Sequence, residues 1–129
     1  MSASLAPIFV ATPNVQQSQV TVANTARDGT GTTVTAWTPG ANGSILSKVI
    51  IEVPSTSLVD VIRLFWFDGT NTFLYDELLV TAITPSTTVA AFRLEYVPST
   101  PEVYPSGWIL KASTHIGQAT NVRVLGGNY

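Results

Sequence analysis

Apolar and polar residues alternate with a period of two along most of this chain. That rhythm belongs to half-buried β-strands, because successive side chains of a strand point to opposite faces. Gln19–Asn24 (QVTVAN) sets Val20 and Val22 on one face, and Thr32–Trp37 (TTVTAW) alternates again. Ile45–Val53 (ILSKVIIEV) places Val49, Ile51 and Val53 together, with Lys48 and Glu52 opposite. Val89–Val97 (VAAFRLEYV) turns Phe92, Leu94 and Tyr96 inward and Arg93 and Glu95 outward. Trp108–Thr114 and Asn121–Leu125 read as two further strands. Gly, Pro, Ser and Thr interrupt these runs at roughly eight- to twelve-residue spacing, and helical periodicity is almost missing. The pattern predicts an all-β fold: a single antiparallel β-sandwich of about eight strands, jelly-roll-like, over residues 18–129. Residues 1–17, rich in Pro, Ala and Gln, read as an extended N-terminal arm.

One strand breaks the alternation. Leu58–Phe67 and Thr72–Val80 flank the turn Asp68-Gly69-Thr70-Asn71, the strongest hairpin signal in the chain. Before the turn, one face of the strand offers Leu58, Ile62, Leu64 and Trp66. The other offers Val59, Val61, Phe65 and Phe67, with Arg63 among them. An antiparallel strand apolar on both faces has to bury both. One face goes to the core; the N-terminal arm, the Pro98–Ser106 loop or another subunit covers the other. Leu5, Ile8 and Phe9 of the arm, with Val59, Val61, Phe65 and Phe67, are therefore the candidate oligomer or partner interface. Arg63 needs a carboxylate beside it, because an unpaired buried charge is strongly destabilising. Glu95, Glu52 and Asp76 are the candidates.

Composition narrows the function classes. Only 11% of the 129 residues are charged, against about 25% in an ordinary domain, so Thr and Ser carry the polar surface. Net charge is −2 and no basic cluster exists, which argues against a nucleic-acid partner, since phosphate binding needs converging Lys and Arg. With no Cys there is no disulfide framework, thiolate chemistry or Cys-based metal site. The N-terminus has no basic region of the signal-peptide kind. No run approaches the roughly 20 apolar residues of a membrane span, so no membrane partner is expected.

Catalytic chemistry finds little footing. His115 is the only histidine, and no Gly-x-Ser-x-Gly elbow or Cys accompanies it. Zinc needs several His or Cys ligands. Asp28, Asp68 and Asn71 lack the acidic density of a calcium loop. A glycosidase needs two carboxylates facing across a cleft. Asp76 and Glu77 are strand neighbours that point to opposite faces, and Asp68 has turn amides to bind, so a remote partner such as Glu52, Glu95 or Glu102 would be required. The reading is therefore of a non-enzyme with no cofactor and no metal. Trp37, Trp66, Trp108, Tyr75, Tyr96 and Tyr104 could form a sugar platform, although aromatics on strands more often pack in cores or interfaces.

The stretches TARDGTGTTVTAW, GANGSILSKVIIEV, RLFWFDGTNTFLYDELLVTAITPS and GWILKASTH, with the terminal LGGNY, resemble a group of small tailed-bacteriophage and prophage virion structural proteins. In size and fold the best match is a capsid decoration (cement) protein. The resemblance covers most of the chain from Thr25 onward and carries no catalytic residues. It implies a β domain, made in the bacterial host cytoplasm, that binds the outer capsid surface as a homo-oligomer, a trimer favoured over a dimer. Its partner would be the major capsid protein. The alternative is a phage tail, fibre or receptor-binding (carbohydrate-binding) β-sandwich module.

Overall fold

A computed structural model describes residues 10–100 and 102–129. Nine strands form two antiparallel sheets packed face to face as a β-sandwich. They are β1 (Thr12–Val20), β2 (Val34–Trp37), β3 (Ser44–Val53), β4 (Asp60–Phe67), β5 (Thr72–Val80), β6 (Phe92–Tyr96), β7 (Glu102–Tyr104), β8 (Ile109–Thr114) and β9 (Thr120–Asn128). One sheet has the order β1-β9-β3-β6, with the short β7 also pairing β3; the other has the order β2-β8-β4-β5.

The pairings are nested. β4 pairs β5 across the Asp68–Asn71 turn, β3 pairs β6, β2 pairs β8, and β1 pairs β9. The chain thus behaves as one long ribbon folded at that turn and rolled into two sheets, the jelly-roll arrangement. The turn at the fold is fixed by Asp68, whose Oδ1 accepts from the N–H groups of Thr70 (2.9 Å) and Asn71 (2.8 Å). These two bonds to the ionised form hold its carboxyl below the usual range.

Two sequence expectations are corrected in detail. Residues 12–17, read as part of the arm, are the first six positions of β1, an edge strand paired with β9 throughout. Its sequence, TPNVQQSQV, is too polar to announce a strand, and Pro13 is tolerated because the strand is at an edge. Gln19–Asn24, read as one strand, is divided: β1 ends at Val20, and residues 21–33 are a crossover, since β1 and β2 lie in different sheets. Leu5, Ile8 and Phe9 lie outside the described residues.

The core sits between the sheets. Val49, Ile51 and Val53 of β3, Ile62 and Leu64 of β4, Leu110 of β8 and Val124 of β9 are fully buried there. At one end six of the seven Trp and Tyr residues form a single aromatic cluster: Trp37, Trp66, Trp108, Tyr75, Tyr96 and Tyr104. Trp66 stacks on Tyr104 with centroids 3.8 Å apart and planes at 21°, and meets Trp37 and Tyr75 edge-on at 6.2 and 5.9 Å. Such pairs add about 0.5–1.5 kcal/mol each beyond their buried area. Gly126 makes room for this: a Cβ there would lie 2.4 Å from the Ile45 carbonyl O and 2.7 Å from Trp37.

The two open sides of the sandwich differ. On one, β1 and β2 are tied by side chains: Asn14 Nδ2 and Gln16 Nε2 each donate to the Thr38 carbonyl at 3.0 Å, and Trp37 Nε1 donates to the Asn14 carbonyl at 3.2 Å. On the other, β5 presents a nine-residue edge from which Phe73, Leu74 and Leu79 are exposed.

Candidate functional site

The outward face of the β2-β8-β4-β5 sheet carries the residues singled out from sequence. Val61, Arg63, Phe65 and Phe67 alternate along β4 with the core-facing Ile62, Leu64 and Trp66. Their neighbours are Leu79, Glu77, Leu74 and Thr72 on β5. Val61 and Phe67 are half-buried, while Val59, just before the strand, is 73% exposed.

Phe65, by contrast, is completely buried and offers no surface to a partner. Residues 24–32 of the β1–β2 crossover lie across this face. Asn24 N donates to Thr114 O at 2.8 Å at one end of the segment, and Gly29 packs on Thr72 at the other. Between them Arg27 pairs with Glu77 at 2.7 Å. The crossover is braced internally by the buried Asn24, whose Nδ2 donates to Thr30 O (2.8 Å) and Thr32 O (2.9 Å) while Oδ1 accepts from Ala26 N.

Arg63 sits beneath this cover, 2% exposed. Nε pairs with Glu77 Oε1 at 3.3 Å, and Nη1 reaches Asn24 O at 3.3 Å and His115 Nδ1 at 3.2 Å. The carboxylate is thus Glu77 and not Glu95, Glu52 or Asp76. The reason is a β-bulge in β5: Leu64 faces Asp76 and Phe65 faces Leu74, so Tyr75 is the extra residue and Glu77 falls opposite Arg63. Asp76 and Glu77 do point to opposite faces.

Asp60 went unnoticed in the sequence. It is buried and accepts from Thr114 Oγ1 (2.5 Å), Val61 N (2.7 Å), His115 N (3.1 Å), Ile116 N (3.2 Å) and Gln118 Nε2 (3.3 Å). A carboxylate so surrounded clamps the β8–β9 turn to the start of β4. The only sequence signal was an acid inside an apolar strand, which requires internal partners.

The outward face of the other sheet is charged. Lys48, Glu52, Arg93, Glu95 and Arg123 alternate in sign, with Arg93–Glu95 at 2.7 Å and Lys48–Glu95 at 3.4 Å. The Arg93 bond and the nearby cations hold the Glu95 carboxyl below its usual range. Beside them a shallow groove of about 380 Å³ is lined by Gln17, Gln19, Ile50, Glu52, Asn121 and Arg123, without an aromatic platform.

The six aromatics weighed as a sugar platform are engaged with one another. Tyr75 donates to the Glu102 carboxylate, and burial followed by that carboxylate raises the phenol pKa well above the usual range. Burial, then the charge of Glu102, pushes Tyr104 up to about 12. Among the described residues no three His, Asp or Glu side chains gather as a metal site, and no helix is long and apolar enough to cross a membrane. No protein-family model matches the chain, and no curated protein matches it significantly.

Proposed function

We propose that the chain is a structural virion protein that binds the outer surface of a bacteriophage capsid as an oligomer and stabilises contacts between major capsid subunits. The observation that carries this reading is the contrast between the two outward sheet faces. One is a solvated ladder of opposite charges. The other leaves Leu79, 67% exposed, beside the half-buried Val61 and near the exposed Val59. Exposed apolar groups gathered on one face belong to proteins that meet other proteins. The likeness of strand and turn words to phage decoration proteins supplies the setting. A weak contact repeated across an oligomer gains effective concentration and becomes a firm clamp, with no chemistry required.

A second reading, a tail, fibre or receptor-binding module, is favoured by the groove of Gln17, Gln19, Asn121, Glu52 and Arg123, whose donors and acceptors suit a hydroxyl-rich ligand. Heating purified capsids with and without the added protein, alongside a glycan array, separates the two. Decoration raises the temperature at which capsids release their DNA and leaves the array blank. Saturable glycan binding with no capsid effect would replace the first reading by the second.

A further inference from the structure

The loops at one end of the sandwich carry no charge. At the end of the sandwich where β4 begins, four loop segments meet: residues 21–26, 54–59, 81–91 and 115–119. Their proximity follows from the pairings Val20↔Thr120, Asp60↔Val80, Ile62↔Thr114 and Val53↔Phe92, and from the bridges Ala23↔Thr114 and Ser57↔Ile83. The chain has six Lys and Arg and eight Asp and Glu, and none of them stands in these segments. The acid nearest this end, Asp60, is buried and fully hydrogen-bonded. In place of charge the end exposes Val22, Leu58, Val59, Val89 and Ile116, with Leu79 at its side.

We infer that this charge-free end is where one copy of the chain meets a second copy. Interface cores are depleted of charge, and a two-fold contact brings each residue near its own counterpart or its neighbours, so like charges there repel. Two other exposed surfaces fail that condition. Self-pairing of the β5 edges about a two-fold axis sets Asp76 and Glu77 against their own copies, and the opposite sheet carries its charge ladder. The charge-free end meets itself without penalty.

The inference deepens the oligomeric part of the reading above, and its test uses no capsid. Light scattering after size-exclusion chromatography is run on the full chain, on Val59→Lys and Leu79→Lys, and on Val15→Lys and Val103→Lys, which charge exposed apolar positions elsewhere. Thermal melting of each variant monitors folding. We expect an oligomer for the wild type and both controls, and a mass near that of one 13.7 kDa chain for folded Val59→Lys and Leu79→Lys. A monomeric wild type, patch variants of wild-type mass, or controls that dissociate equally would each overturn the inference. If a wild type found monomeric here co-sedimented with capsids in a separate assay, this inference and the oligomeric part of the reading would fall while capsid binding stood.

Discussion

Arg63 donates from Nη1 to Nδ1 of His115 at 3.2 Å, joining the middle of β4 to the turn after β8 beneath the β1–β2 crossover. A guanidinium only donates, so Nδ1 accepts and the imidazole proton sits on Nε2. With Asn24 O and Glu77 as its other partners, Arg63 holds three elements to one buried point. Neutralising its carboxylate leaves a buried cation without a counter-charge. Glu77→Gln should cost about 3 kcal/mol, the lower end for a broken buried pair because Glu77 is partly exposed. Arg27→Ala, which removes only the exposed partner of Glu77, should cost less than about 1 kcal/mol. Urea unfolding midpoints at pH 7 compare the two; equal losses would mean that the buried pair is not what holds the sheet face.

Asn24 braces the crossover from within. Asn24→Ala strips the hydrogen bonds from two loop carbonyls and one amide, and should destabilise by about 2 kcal/mol. The crossover should open before the sandwich does. Limited trypsin digestion therefore should cut first after Arg27 in this variant, while the wild type resists there. An unchanged cleavage order would show that the cover is held by something other than Asn24.

Strand content and the two-sheet class were legible because alternation survives in β3 and β6, whose inner faces are strongly apolar. β1 was hidden because an edge strand of Gln, Ser and Asn has no apolar face to announce itself. β7 was hidden because three residues carry no period. The Arg63 partner was missed for a single reason: a bulge at Tyr75 shifts the parity of everything after it, and no residue there advertises one. Likewise the covering role of Thr25–Thr32 leaves no mark in the sequence, because a loop that covers an outward face uses the same Asn, Asp and Gly as a hairpin. The two-sided apolar character of β4 was visible, but whether its cover came from this chain depended on the crossover path. That path removes Phe65 from the surface and leaves Val59 on it.

The nested ribbon depends on close approach at one glycine and on a turn at another. Gly126→Ala drives a methyl into the Ile45 carbonyl and Trp37, and should cost about 1–3 kcal/mol as an overpacked site. Gly69, at φ 98° with open space around it, should lose about 1 kcal/mol on change to Ala through backbone strain alone. Thermal melts with near-UV circular dichroism separate them. Only Gly126→Ala should disturb the aromatic signal, and an unaltered spectrum there would contradict the tight packing of β9 on Trp37.

Alkaline pH tests the aromatic end. Burial raises the folded pKa of Tyr104 to about 12, above the value near 10 expected in the unfolded chain. The stability this contributes is complete below about pH 10 and is lost as pH rises through about 12. Absorbance titration at 295 nm should show tyrosines that ionise only at the top of that window, together with unfolding. Ionisation of all four tyrosines near pH 10 with the fold intact would place Tyr104 and Tyr75 in water instead.

The proposed function requires the protein to meet a capsid. Sedimentation of purified capsids that lack this protein, mixed with increasing amounts of it, measures that directly. Saturable co-sedimentation, with the bound protein on the outer surface and the capsids more resistant to heat, is the predicted result. Protein that stays in the supernatant at every concentration would contradict the proposed function.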